Sequence, residues 1–230
     1  MRLDEIEATV TTLQHELWEN QDMFLPNGCQ DEVDLLNPRF AAAILGVKYE
    51  EVDHIPATFG FQGEYFKTAG LIDRQLNKIV VASDAKLPER RFTAAHELGH
   101  WVLHTDTVMH RDRPIGKLLS GNSTRAPKER EADYWGACFL MPRKLVKKRL
   151  KLNFGVDQPL RFDDNVANWL APQDPGSLLY CGEESLNREF ALATVERFNS
   201  QQFYSLSDQF RVSPTAMALR LKELKLIRWP

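Results

Sequence analysis

Long apolar runs are missing from this chain. Nowhere do about eighteen apolar residues follow one another, so no stretch is built to cross a membrane as a helix. Cysteine is scarce and scattered: Cys29, Cys138 and Cys181 are odd in number and form no CxxC pair. That pattern argues against a disulfide framework and for free thiols in a reducing compartment, the cytoplasm. An excess of one charge is also absent. A net charge of −3 and a pI near 6.1 provide no global basic field to attract nucleic acid. The opening residues, MRLDEIEATVTTLQHELW, carry acids through two turns and no apolar core, so a secretory signal is not expected there. No repeat of solenoid length is found.

What is present is an ordinary globular composition, 43% apolar and 27% charged over 230 residues, enough for one substantial domain and a smaller appendage or for two modest domains. Leu3, Ile6, Val10, Leu13 and Leu17 recur at three-four spacing, the seam of an amphipathic helix that docks on the chain's own core. FLPNGC breaks that pattern, and LLNPRFAAAILGVKYEEV restarts a helix whose last turn closes at Gly46. From Phe59 to Ser83 the residues turn β-like. DRQLN is a turn between two extended runs, and KIVVAS is a strand. Helical periodicity then runs from Phe92 to His104, and PKEREADYWGACFLMP forms a second long helix, with Pro127 in its first turn and a stop before Pro142. The Asp, Asn, Pro and Gly content of 151–185 reads as an irregular insertion or linker. The expected organisation is an N-terminal amphipathic helix in 1–34, a catalytic domain in 35–150, the insertion, and a helical region in 186–230. The expected class is α+β, mainly helical, with a small sheet beside the histidine-bearing helix.

That helix carries HELGH at residues 96 to 100. Side chains at i and i+4 stack on one helical face. His96 and His100 can therefore aim at one point and hold Zn²⁺ at about 2.0–2.1 Å each. Glu97 sits about 100° round the helix. It is too offset to be an equal ligand and is placed to take a proton from an attacking water whose acidity zinc raises. With six histidines in the chain, chance produces such a string in roughly one sequence in a hundred. His104 continues the row but stands about 12 Å along the axis from His96, too far to share its ion. It is read as a C-terminal histidine facing the last helix carbonyls.

A third ligand must come from elsewhere. The second helix offers Glu129, Glu131 and Asp133. Glu129 and Asp133 share a face, so Glu129 is chosen as ligand and Asp133 as the acid that orients a ligand imidazole. Glu131 lies about 200° away from Glu129 and is assigned, with Arg130, to a solvated face. Imidazoles with one carboxylate favour zinc over manganese or iron. Tyr134, His110 and nearby arginines are candidates for stabilising an oxyanion.

These residues carry a resemblance. KIVVASDAKLPERRFTAAHELGHWVLH followed by EREADYWGACFLMP is similar to the ImmA/IrrE family of metallopeptidases. The matching positions are Arg91, Phe92, Thr93, Ala95, His96 to His100, Leu103 and His104, then Glu129, Ala132, Asp133, Ala137 and Leu140 to Pro142. Trp135 and Gly136 stand where the family has Phe and Ala, a departure that bears on local packing. The resemblance implies His96, His100 and Glu129 as zinc ligands and Glu97 as the catalytic residue. It implies as substrate a helix-turn-helix transcriptional repressor of a mobile element or stress response, with a toxin–antitoxin role for some relatives.

Near the C-terminus, LSDQFRVSPTAMALRLKELKLI has the layout of two helices joined at RVS, with Ser213 as N-cap and Pro214 at the first helical position. Arg211, Arg220, Lys222, Lys225 and Arg228 make it locally basic. It binds DNA or the repressor substrate, or it packs on the core through Phe210, Met217, Leu221 and Leu224. DNA is the less favoured partner, because five basic residues in an acidic chain make a weak electrostatic footprint. The rival to proteolysis is a metal-stabilised DNA-binding regulator. The oligomeric state is not readable.

Overall fold

The computed structural model describes residues 1–59, 65–105, 109–112, 126–155 and 159–228, with backbone alone at 56–59, 65–67 and 109–112. The chain divides into two compact units, Met1–Leu140 and Met141–Pro230. Both combine helices with small sheets, an α+β class as expected.

The first unit opens with α1 (Leu3–Glu19), whose seam buries Ile6, Val10, Leu13 and Leu17. Each such aliphatic side chain contributes about 1.5–3 kcal/mol by leaving water. Leu3, the first residue of the expected seam, is exposed. Two single-turn helices follow, α2 (Gln21–Phe24) and α3 (Glu32–Leu35), then α4 (Pro38–Ile44). Asn37 caps α4 by accepting from the Arg39 amide, and Gly46 lies just beyond its end at φ +68°, which a residue with a side chain rarely adopts.

The strands begin earlier than Phe59. KYEEV, which follows the expected helix end at Gly46 and carries no expected strand, is strand β1 (Lys48–Val52). It is followed by β2 (Ile55–Phe59), β3 (Tyr65–Thr68), β4 (Gly70–Asp73) and β5 (Lys78–Ala82). After α5 (Leu87–Leu103) comes β6 (Met109–Asp112), and α6 (Pro127–Leu140) closes the unit. The main sheet runs β1-β5-β4-β6, with β1 parallel to β5 and the other pairs antiparallel. The turn at DRQLN joins β4 to β5 as expected, while β2 and β3 pair separately.

α5 and α6 pack closely enough that a Cβ added at Gly99 would come within 3.0 Å of the Ala132 carbonyl oxygen and 3.1 Å of its Cα. A Cβ added at Gly136 would stand 3.3 Å from the backbone nitrogen of His96 on α5. Polar contacts from α1 brace α6. Gln14 donates to the carbonyls of Cys138 and Phe139, Trp135 donates to the Thr9 hydroxyl, and Tyr134 donates to Glu7 at 2.6 Å. Tyr134 is thus tied to α1, and the His110 side chain lies outside the described residues.

The second unit holds α7 (Arg143–Phe154), β7 (Leu160–Arg161), α8 (Asp164–Leu170), α9 (Gly176–Leu179) and α10 (Asn187–Thr194). A hairpin of β8 (Arg197–Phe198) and β9 (Gln201–Gln202) leads to α11 (Leu206–Phe210), α12 (Pro214–Glu223) and β10 (Ile227–Arg228), the last paired with β7. The stretch expected to be irregular therefore contains two short helices. Its aspartates do cap chemistry: Asp163 accepts from the Val166 amide, and Val166, Ala167 and Leu170 turn inward. Buried Arg188 of α10 then ties α9 down by donating to the carbonyls of Leu178 and Leu179. At the α11–α12 pair, Phe210, Met217, Leu221 and Leu224 are buried and Ser213 caps α12. Arg220 and Lys222 of the basic set are engaged inside the unit. Arg220 donates to the Met141 carbonyl and Glu223, and Lys222 to the carbonyls of Glu183 and Ser185. Among the described residues no helix is long and apolar enough to cross a membrane, and the three cysteines are free thiols.

Candidate metal centre

Position 96 of α5 and positions 129 and 133 of α6 meet because small residues let the two helices approach. His96 Nε2 and His100 Nε2 lie 3.0 Å apart. Glu129 reaches both, with Oε2 3.4 Å from His96 Nε2 and Oε1 3.3 Å from His100 Nε2. Among the described residues these three each offer one ligand atom, all within 4.8 Å of one another. A tetrahedral ion with bonds of about 2.0–2.1 Å has ligand atoms separated by about 3.3 Å. The donor set and its spacing therefore fit zinc.

The electrostatics agree with that fit. Burial pushes the Glu129 carboxyl up, but hydrogen bonds and charge from His100 and His96 outweigh it and hold the group far below the usual carboxylate range. It stays ionised. Asp133 Oδ1 is 2.9 Å from His96 Nδ1. A carboxylate only accepts, so His96 carries its proton on Nδ1 and turns a bare Nε2 toward Glu129 and His100.

Glu97 is fully buried. Its carboxyl lies against β4 at Gly70, where an added Cβ would stand 2.1 Å from Oε1 and 2.8 Å from Cδ. Only glycine leaves room for the acid in this position. No local signal in the sequence points to Gly70, because a strand glycine facing a helix is a tertiary fact.

Two expectations are corrected. His104 does not face the last carbonyls of α5; Arg74, from the β4–β5 turn, donates instead to the carbonyls of His100, Trp101 and His104 at 3.0, 2.7 and 3.2 Å. The freed His104 ring sits between His100 and Glu131, with its Nε2 2.9 Å from Glu131 Oε2. Glu131 is accordingly not on a solvated face. Hydrogen bonds from His104 and from the chain's terminal amine hold its carboxyl below the usual range. The partner of Glu131 lies at the end of α5, so helical spacing within α6 alone does not reveal it.

Residues 63–162 match the model of the Peptidase M78 family, described as the IrrE N-terminal-like domain. Those residues are similar to an IrrE N-terminal-like domain. Similarity to this metallopeptidase family supports hydrolysis of a protein substrate with the help of a metal ion. The matched residues include α5 and α6 whole. No curated protein matches the chain significantly.

Proposed function

We propose that this protein is a zinc-dependent endopeptidase that cleaves a regulatory protein, a helix-turn-helix repressor of a mobile element or stress response, in the cytoplasm. The convergence of His96, His100 and Glu129 within hydrogen-bond range of one another carries the reading. These three hold the ion. When bound, zinc supplies Lewis acidity toward the scissile carbonyl and the attacking water. Asp133 keeps His96 in the tautomer that leaves Nε2 free for the ion. Glu97 acts as general base, taking a proton from the water and passing it to the leaving amine. Its burial keeps bulk water from competing for that proton.

The repressor as substrate is supported by the resemblance of the two helical motifs. Engagement of Arg220 and Lys222 within the second unit favours proteolysis over the rival reading of a metal-stabilised DNA-binding regulator or a toxin–antitoxin component without proteolysis. The test is co-expression with a helix-turn-helix repressor, looking for a fragment. Glu97→Gln removes the fragment and leaves about one zinc per chain, whereas His96→Ala or His100→Ala loses the zinc. A fragment formed at the normal rate by Glu97→Gln sinks the mechanism.

A further inference from the structure

We propose that His104 and Glu131 are positioning residues for His100, holding it at the metal centre through a His–His–carboxylate relay. This rests on the reading of His96, His100 and Glu129 as ligands. His100 Nδ1 lies 2.9 Å from His104 Nδ1, and His104 Nε2 lies 2.9 Å from Glu131 Oε2. His104 is 4% exposed, and its ring centroid is 4.9 Å from that of His100.

Donor logic gives the relay one direction. Glu131 only accepts, so His104 carries a proton on Nε2 and offers a bare Nδ1. That Nδ1 accepts from His100 Nδ1, which leaves His100 Nε2 bare and aimed at His96 Nε2 and Glu129. His96 reaches the same condition in one step through Asp133. His100 needs two, because its acid lies beyond one more imidazole. Arg74 keeps the relay in register by gripping the α5 carbonyls at both His100 and His104. Each ligand imidazole is thus fixed by its own carboxylate.

The experiment measures zinc affinity by competition with a chromophoric chelator, together with thermal unfolding of the metal-free chain, for the wild type, His104→Phe, His104→Asn and Glu131→Gln. Phenylalanine keeps the ring volume and removes both nitrogens. Zinc binding should weaken about 10–100-fold, as expected on losing an outer partner of a ligand histidine. Asparagine places an oxygen where Nδ1 stood, accepts from His100, and recovers most of that loss. Glu131→Gln weakens binding several-fold while the metal-free chain unfolds at the wild-type temperature. A purely structural role would lower metal-free stability and leave asparagine no better than phenylalanine. The relay is overturned if His104→Phe binds zinc as tightly as the wild type, or if asparagine recovers nothing. If His104→Phe does not fold, Glu131→Gln decides: weaker zinc supports the relay and unchanged zinc overturns it. A wild type that binds no zinc overturns this proposal and the proposed function together, whereas zinc-binding variants indistinguishable from a zinc-binding wild type overturn the relay alone.

Discussion

The helix pairs α5–α6 and α11–α12 bury different chemistry. The first buries His96, His100 and His104 beside a contact lined by glycine and alanine, and Glu97 of α5 against β4 at Gly70, four polar or titratable side chains almost without solvent. The second encloses Phe210, Met217 and Leu221, and its one buried charge, Arg220, is answered by the Met141 carbonyl and Glu223. Taking a carboxylate from water costs several kcal/mol, and apolar residues of like volume are often the more stable choice. Packing alone explains α11–α12. It does not explain α5–α6, where buried titratable groups give up stability.

Four measurements break or sharpen that contrast. Glu97→Gln should lower hydrolysis about 10²–10⁴-fold, equivalent to about 3–5 kcal/mol, while raising the unfolding temperature of the metal-free chain. A drop in that temperature would mean the buried acid is there for packing. Met217→Ala should act oppositely, costing about 2–5 kcal/mol of stability in denaturant titration and leaving zinc content intact. Zinc lost with the methionine would show that the pairs are not distinct in role. Gly70→Ala forces a methyl group into the Glu97 carboxyl and should cost about 1–3 kcal/mol. In a Glu97→Ala background that cost should vanish, and its persistence would place the strain elsewhere. The smallest effect is that of Ser213→Ala, which removes the cap on the Ala216 amide and should cost about 1 kcal/mol with no change in metal affinity.

Helical spacing brought His96, His100, Glu129 and Asp133 into consideration because each pair is separated by four residues, and a helix turns such pairs to one side. The β4–β5 hairpin was legible from its turn residues for the same local reason. Gly70, Arg74 and the engagement of Glu131 were not legible: each acts on a partner 26 or more residues away, and nothing in its own neighbourhood marks it. KYEEV was not read as a strand because its strand character comes from pairing with β5, not from its own residues. The aspartate-rich stretch was read as irregular because cap residues and linker residues share a composition, and only inward-facing Val166 and Leu170 distinguish them.

By itself, the sequence determined which side chains share a helical face, where the β4–β5 hairpin turns, and the chemistry that two histidines and an acid can perform. Those properties depend on bond geometry repeated every few residues. Only the tertiary structure decided that Glu131 reaches His104, that Arg74 takes over the end of α5, and that position 70 must lack a side chain. These are meetings of distant surfaces, set by how closely two helices and a strand pack once water has been driven from between them.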